Sequence, residues 1–194
     1  MSLLALALLL LATLVPMLVL ALHRVAWDPT VALAALSALL LGLAAVAAAD
    51  AGPVDGWRRG AALVLGVAAA TTAGSDVVRG TFRVIRGELL SLRRHHPRSS
   101  DDSGDDIDID APGTVLRGGA WVGYLERAAI SATLLAGWPE GMALVLAVKG
   151  VGRYPELRGP ESVQSHAPET FIIGTLASVL WAAACAGVAV LISR

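Results

Sequence analysis

The chain has few charged residues, which argues against an ordinary water-soluble domain. Asp, Glu, Lys and Arg make up 16% of its 194 residues, against about 25% in a typical soluble domain. It has one cysteine, Cys185, which excludes a scaffold of intrachain disulfides. The net charge of −1 lacks the basic surplus of a nucleic-acid binder. Hydrophobic residues instead reach 56%, too many for a disordered chain or for one water-soluble core. We therefore predict an all-α, polytopic transmembrane helical bundle with about six spans.

Six apolar stretches support that prediction, because a spanning helix needs about 20 mostly apolar residues. They cover 3–22, 28–49, 60–78, 120–137, 139–152 and 168–192. The first could be read as a cleaved signal peptide, but it lacks a basic n-region and exceeds the usual length of the apolar region, so we expect a retained helix. The fifth is short, which leaves a tilted, an extended and a re-entrant helix open.

The chain divides into three parts on this interpretation. Residues 1–78 form an N-terminal three-helix transmembrane part, and residues 119–194 form a C-terminal part with a helical hairpin and a final helix. Residues 79–118 form a large loop between them. With the N-terminus outside, ten loop arginines face inward and three face outward. The positive-inside rule then predicts a multi-pass plasma-membrane protein of bacterial type, with the Arg79–Gly119 loop in the cytoplasm and both termini outside.

The first half of that loop is basic and amphipathic. Arg79, Arg83, Arg86 and Arg93 share one helical face. We expect the third span to continue into a helix along the membrane surface, where this basic face meets anionic lipid headgroups. A voltage-sensor interpretation is disfavoured because the arginines do not recur every third residue.

The second half of the loop is acidic, with six aspartates between residues 101 and 110. A calcium-binding EF-hand loop starting at Asp101 would need Gly at its sixth position and Glu at its twelfth. Asp106 and Pro112 stand there instead. We therefore expect a disordered, flexible acidic tether. His95 and His96 lack further ligands at suitable spacing, so no metal site is predicted.

Charged residues inside the last three spans are the most informative feature, since each ion in hydrocarbon costs at least about 2.5–3.5 kcal/mol on insertion scales. If the fourth and fifth spans form a hairpin, Glu126 and Lys149 reach the same depth and can pair. Arg127 points about 100° away from Glu126. The predicted polar cluster comprises Glu126, Arg127, Lys149, Arg153, Glu156 and Glu169. It is open to three interpretations: a structural clamp, an anion or lipid-headgroup site, and a proton or ion pathway.

Three strings in this region carry a family resemblance. They are GYLER at 123–127, AVKGVGR at 147–153 and ETFIIGTL at 169–176. Residues 117–190 resemble the C-terminal helices of a bacterial integral-membrane family known only by a domain of unknown function. The resemblance implies that Glu126, Arg127, Lys149, Arg153, Glu169 and Gly174 belong together, and it implies no reaction. The family's His- and Asp-containing N-terminal motif is missing here, so the resemblance does not extend to the first three spans.

No catalytic residue and no cofactor is predicted. Gly74-Ser75-Asp76 offers a hydroxyl beside an acid, but no histidine lies within a span. We therefore expect a non-enzymatic membrane component, either a homo-oligomer or part of a membrane-protein complex, whose charged cluster fixes the helices and holds an anionic lipid. The alternatives are a small proton- or ion-coupled transporter or channel using Glu126 and, less favoured, an enzyme acting on a lipid phosphate.

Overall fold

The computed structural model describes residues 2–22, 30–49, 56–95, 119–157 and 167–194, which form six α-helices and no strand. The helices are α1 Ser2–Leu22, α2 Thr30–Ala49, α3 Trp57–His95, α4 Gly119–Leu135, α5 Pro139–Leu157 and α6 Ala167–Ser193. The prediction of an all-α bundle of about six helices is confirmed. The acidic stretch 101–110 lies outside the described residues.

The central helix is α3, which packs against α1, α2, α4 and α6. Small residues allow these close approaches. A Cβ atom added at Gly66 would lie 2.6 Å from the Cβ of Ala189 in α6, and one added at Gly80 would lie 2.8 Å from the Cβ of Ala34 in α2. Backbones so close leave no room for a larger side chain, so the position of glycine along α3 decides where its neighbours cross.

The predicted third span continues without a break into the loop, as expected, whereas the location of that extension along a membrane surface stays a prediction. At 1.5 Å per residue the 39 residues of α3 measure about 58 Å, almost twice the thickness of a bilayer core. Its first 22 residues, 57–78, already cover about 33 Å. The helix α3 is therefore longer than one crossing requires, although Gly80 and Phe82 still pack against α2 and α6. The side chains of 88–95, Arg93 among them, lie outside the described part.

A tight reversal joins α4 to α5. Gly137 adopts a positive φ of 72°, which a residue without Cβ tolerates. The amide of Trp138 donates to the Thr133 carbonyl at 2.9 Å and that of Gly137 to the Leu134 carbonyl at 3.1 Å, the two bonds of a Schellman cap. Pro139 begins α5, where its missing N–H costs nothing. The reversal expected from the sequence is thus present, and α5 returns antiparallel to α4.

Three of the six described helices are long and apolar enough to cross a membrane: Thr30–Ala49, Trp57–Gly87 and Glu169–Ser193. A shorter apolar helix covers Leu3–Pro16 in α1. The helices α4 and α5 fall short because α4 has only 17 residues and both carry charge. Six helices are therefore established, whereas six membrane crossings stay a prediction.

Large apolar side chains point outward from the bundle. Leu39, Val64, Val148 and Leu180 are each at least 60% exposed, and they lie on four different helices. Exposed large apolar side chains occur on each of the six helices, which is unusual for a water-soluble domain. Together with the three apolar helices, this surface indicates that lipid is the solvent of the bundle.

One end of the bundle collects the charges. Gly174 near the start of α6 faces the Phe82 ring in α3, whereas Ala189 near the end of α6 faces Gly66, so α3 and α6 are antiparallel. The part of α3 from Thr71 onward, the first halves of α4 and α6 and the second half of α5 lie toward the same end, because Arg127 contacts Thr71 and Lys149 contacts Phe171. We call this the charged end.

Candidate functional site

Glu126 of α4 and Lys149 of α5 form an ion pair inside the charged end. Lys149 Nζ donates to Glu126 Oε2 at 2.5 Å. The Glu126 side chain is 5% exposed and that of Lys149 is 21% exposed. The pair arises because the reversal at Gly137 sets the two residues at matching distances along antiparallel helices. The pairing expected from the sequence is therefore present.

A third helix reaches the same ion pair. Lys149 Nζ lies 5.7 Å from the centre of the Phe171 ring in α6, within the range of a cation–π contact. The ammonium group thus sits between a carboxylate of α4 and an aromatic face of α6. One side chain of α5 connects α4 with the start of α6.

Arg127 follows Glu126 directly in the sequence but binds a different helix, α3. It is 4% exposed, and its Nη2 donates to the Thr71 carbonyl at 3.2 Å and to Ser75 Oγ at 2.8 Å, both in α3. Its guanidinium carbon lies 5.3 Å from the centre of the Tyr124 ring. Successive helical residues point about 100° apart. That angle explains why Arg127 reaches α3 while Glu126 reaches α5.

Two glycines make room for the Arg127 side chain. A Cβ at Gly74 of α3 would overlap its Cδ and Nε atoms, and a Cβ at Gly123 of α4 would lie 3.4 Å from its Nη1. The arginine therefore lies in a groove between α3 and α4 that only glycine leaves open on the α3 side. This is a close-approach role for Gly74 rather than a conformational one.

Asp76 is the third buried ion of this end. It is 2% exposed, and its Oδ1 accepts a 2.8 Å hydrogen bond from Arg79 Nη2 one turn along α3. The Arg79 side chain is 53% exposed and also donates from Nε to the Ser75 carbonyl at 3.3 Å. Arg79, predicted to belong to a basic membrane-surface face, thus reaches the surface while neutralising a buried carboxylate.

Each of these three ions keeps one atom without a partner. Within the described residues, Glu126 Oε1, Arg127 Nε and Asp76 Oδ2 are buried and make no hydrogen bond. Buried polar atoms of this kind are uncommon in folded proteins. The two carboxylate oxygens can accept a hydrogen bond from a water molecule or a ligand group, and Arg127 Nε can donate one.

The remaining predicted site residues lie around this centre. Glu169 is exposed in the first turn of α6, and Arg83 and Arg86 follow Arg79 along α3, Arg83 exposed and Arg86 half-buried. Arg153 and Glu156 belong to the last turns of α5, and their side chains are outside the described part. The structure therefore brings Glu126 and Lys149 together and directs Arg127 to another interface.

Sequence reasoning missed the partners of Arg127. Thr71 contributes a backbone oxygen, which no side-chain pattern reveals. The hydroxyl and the acid of Gly74-Ser75-Asp76 serve to connect charges: Gly74 opens the groove, Ser75 accepts from Arg127 and Asp76 holds Arg79. The available signal was three consecutive small or polar residues within an apolar span. Among the residues that the structure describes, no group of three His, Cys, Asp or Glu side chains is arranged to hold a metal ion.

No protein-family model, no curated protein and no solved structure matches the chain. The resemblance of residues 117–190 to an uncharacterised membrane family therefore stays a prediction. Function has to be argued from the geometry of the charged end.

Proposed function

We propose that the chain is a non-enzymatic plasma-membrane protein whose charged end holds its helices in place and contacts anionic lipid, as a homo-oligomer or as part of a membrane-protein complex. The observation that carries the proposal is that two adjacent residues of α4 bind different neighbouring helices. Glu126 binds α5 through Lys149, and Arg127 binds α3 through Thr71 and Ser75. Both charges are used to connect helices.

The energetics favour this structural role. An unpaired ion in the apolar part of a membrane costs several kcal/mol, and its polar partners offset that cost only when the helices keep their positions. The helices here are otherwise rich in Ala, Leu and Val, and lipid tails compete with such side chains for contact. Polar contacts are then the specific interactions that select one arrangement of the bundle.

Lipid binding belongs to the exposed side of the same end. Lys149 and Arg127 are engaged inside the bundle, whereas the cations that the structure describes at the surface of this end lie on α3 from Arg79 onward. Arg79 is 53% exposed and Arg83 is also exposed. Each cation near an anionic leaflet contributes about 1 kcal/mol. The same residues support a cytoplasmic location of this end.

Native mass spectrometry in nanodiscs containing both phosphatidylglycerol and phosphatidylcholine tests the lipid contact. We expect wild type to retain phosphatidylglycerol preferentially, and Arg83→Gln with Arg86→Gln to reduce that preference. Arg58→Gln with Arg59→Gln is the matched control, since these two arginines, one half-buried and one exposed, lie at the opposite end of α3. An equal loss in the control, or no preference in wild type, would contradict lipid binding at the charged end.

A proton- or ion-coupled transporter is the second candidate, favoured by one observation. Glu126 Oε1 is buried and without a hydrogen-bond partner within the described residues, so it can accept a proton or a donor group of a substrate. Flux driven by a pH gradient in liposomes tests this, with Glu126→Gln expected to abolish it. Absence of flux in wild-type liposomes over a broad panel of ions and small solutes would reject transport.

A further inference from the structure

Two buried polar atoms on α2 and α3 are not explained by the charged clamp. Ser37 of α2 is fully buried and Asp76 of α3 is 2% exposed. Within the described residues, Ser37 Oγ and Asp76 Oδ2 make no hydrogen bond. A buried hydroxyl or carboxylate oxygen left without a partner is costly, so each such atom calls for a physical explanation.

The packing of α2 on α3 sets these two residues at the same depth. The two helices are antiparallel and touch where a Cβ at Gly80 would lie 2.8 Å from the Cβ of Ala34. Ser37 lies three residues beyond Ala34, and Asp76 lies four residues before Gly80. Spacings of three and four return to the same helical face. Both residues therefore lie about one turn, or 5 Å, deeper than the contact, on faces turned toward each other.

The helix α1 forms the third wall of this junction, because it packs against both α2 and α3. Pro16, in the second half of α1, is fully buried. Proline has no N–H, so the carbonyl of Ala12 lacks its usual helical donor. Pro16 lies six residues before the end of α1 and Ser37 lies seven residues after the start of α2, so antiparallel packing of these two contacting helices sets the two residues at similar depth. The junction is thus rich in acceptors.

The charges around the junction determine whether a cation or a neutral molecule would bind there. Asp76 is already neutralised through Oδ1 by Arg79 at 2.8 Å, so a second cation is not required. A neutral molecule that donates two hydrogen bonds and accepts one matches a carboxylate oxygen, a carbonyl oxygen and a hydroxyl. We propose that one ordered water molecule occupies the α1–α2–α3 junction, donating to Asp76 Oδ2 and accepting from the Ser37 hydroxyl. Buried waters typically make about three such bonds.

This site is independent of the proposed function, and it gives Ser37 a role in stability. With a bridging water, Ser37→Ala removes one of the bonds of that water and lowers the melting temperature, by roughly 2–4 °C. Without it, the same substitution only removes a buried unpartnered hydroxyl, and the melting temperature stays equal or rises. Thr13→Val is the matched control. Thr13 is buried in α1 and its hydroxyl donates to the Leu10 carbonyl of its own helix at 2.6 Å, so we expect a smaller shift.

The direct experiment is a density map that resolves ordered waters, obtained on the full chain in nanodiscs, together with melting curves of both variants in sodium and choline chloride. We expect density within hydrogen-bond distance of Asp76 Oδ2 and Ser37 Oγ, and melting that does not depend on the cation. Empty density there, or Ser37→Ala melting at or above wild type, overturns the proposal. Stabilisation by sodium over choline that Ser37→Ala removes also overturns it, because the guest would then be a cation.

Discussion

Removing either partner of the Glu126–Lys149 pair tests the clamp most directly. In Lys149→Met the side chain keeps its length and loses its charge. Glu126 then remains 5% exposed with neither oxygen paired, since Oε1 has no partner in the wild-type structure. In Glu126→Gln the ammonium group of Lys149 loses its carboxylate but is 21% exposed and keeps the Phe171 ring. It can also extend toward the aqueous edge. The two single variants should therefore differ.

The expected change in the free energy of unfolding depends on how deeply the remaining charge is buried. Breaking a fully buried ion pair by removing one partner costs about 3–5 kcal/mol, chiefly because a charge is left without compensation. We expect Lys149→Met to lie in this range, and Glu126→Gln to cost roughly 1–3 kcal/mol because the remaining charge is partly solvated. The double variant, Glu126→Gln with Lys149→Met, leaves no ion behind. It should cost less than Lys149→Met alone, since replacing both members of a buried pair is often close to neutral.

Reversible unfolding in mixed micelles with increasing sodium dodecyl sulfate measures these free energies of unfolding. Glu140→Gln serves as the control, because Glu140 is exposed in the first turn of α5 and should contribute no more than about 1 kcal/mol. If the double variant lost the sum of the single losses, the two residues would act independently and the clamp would be refuted. A Lys149→Met loss no larger than the control's would refute it as well.

Two further substitutions, measured in the same unfolding assay, test the roles of glycine in the charged end and in the reversal between α4 and α5. Gly74→Ala should lower the free energy of unfolding by about 2 kcal/mol or more, because its Cβ would overlap Arg127 and displace it from Thr71. The control is Gly42→Ala, which has open space around it and should be neutral or up to about 1 kcal/mol stabilising. Equal effects of the two substitutions would contradict the groove. Gly137→Ala should cost roughly 1–2 kcal/mol because φ is 72° there, and an unchanged stability would contradict the Schellman cap.

The pairing of Glu126 with Lys149 was predictable, whereas the placement of Arg127 was not. A reversal at Gly137 with Glu126 eleven residues before it and Lys149 twelve after it fixes their relative depth by counting alone. The partner of Arg127 depends on which helix packs on the other side of α4. That choice is made by contacts far apart in sequence, such as Gly74 against Arg127, and by a backbone oxygen at Thr71.

The helix boundaries likewise include some that the sequence predicts and one that it does not. The polar and glycine-rich stretches between the apolar runs predict the six helices, and the Gly137–Pro139 turn predicts where α4 stops. The end of α5 was less determined, because Pro155 is ordinarily a reason to stop a helix. The structure continues α5 to Leu157, which adds about 7 Å beyond the predicted end at Gly152. Periodicity describes a helix interior well and its last turns poorly, since the terminal hydrogen bonds are few.

Two adjacent charges on α4 fix both the depth and the rotation of this helix, whereas a single charge would fix only its depth. A single ion pair fixes how deep a helix sits relative to its neighbour but still permits rotation about its axis. Glu126 and Arg127 point about 100° apart, toward α5 and α3, so rotating α4 to improve one contact breaks the other. Alternating access requires helices to rock against each other around a binding site. A helix held in depth and in rotation opposes such motion, which is the physical reason for ranking the clamp above transport.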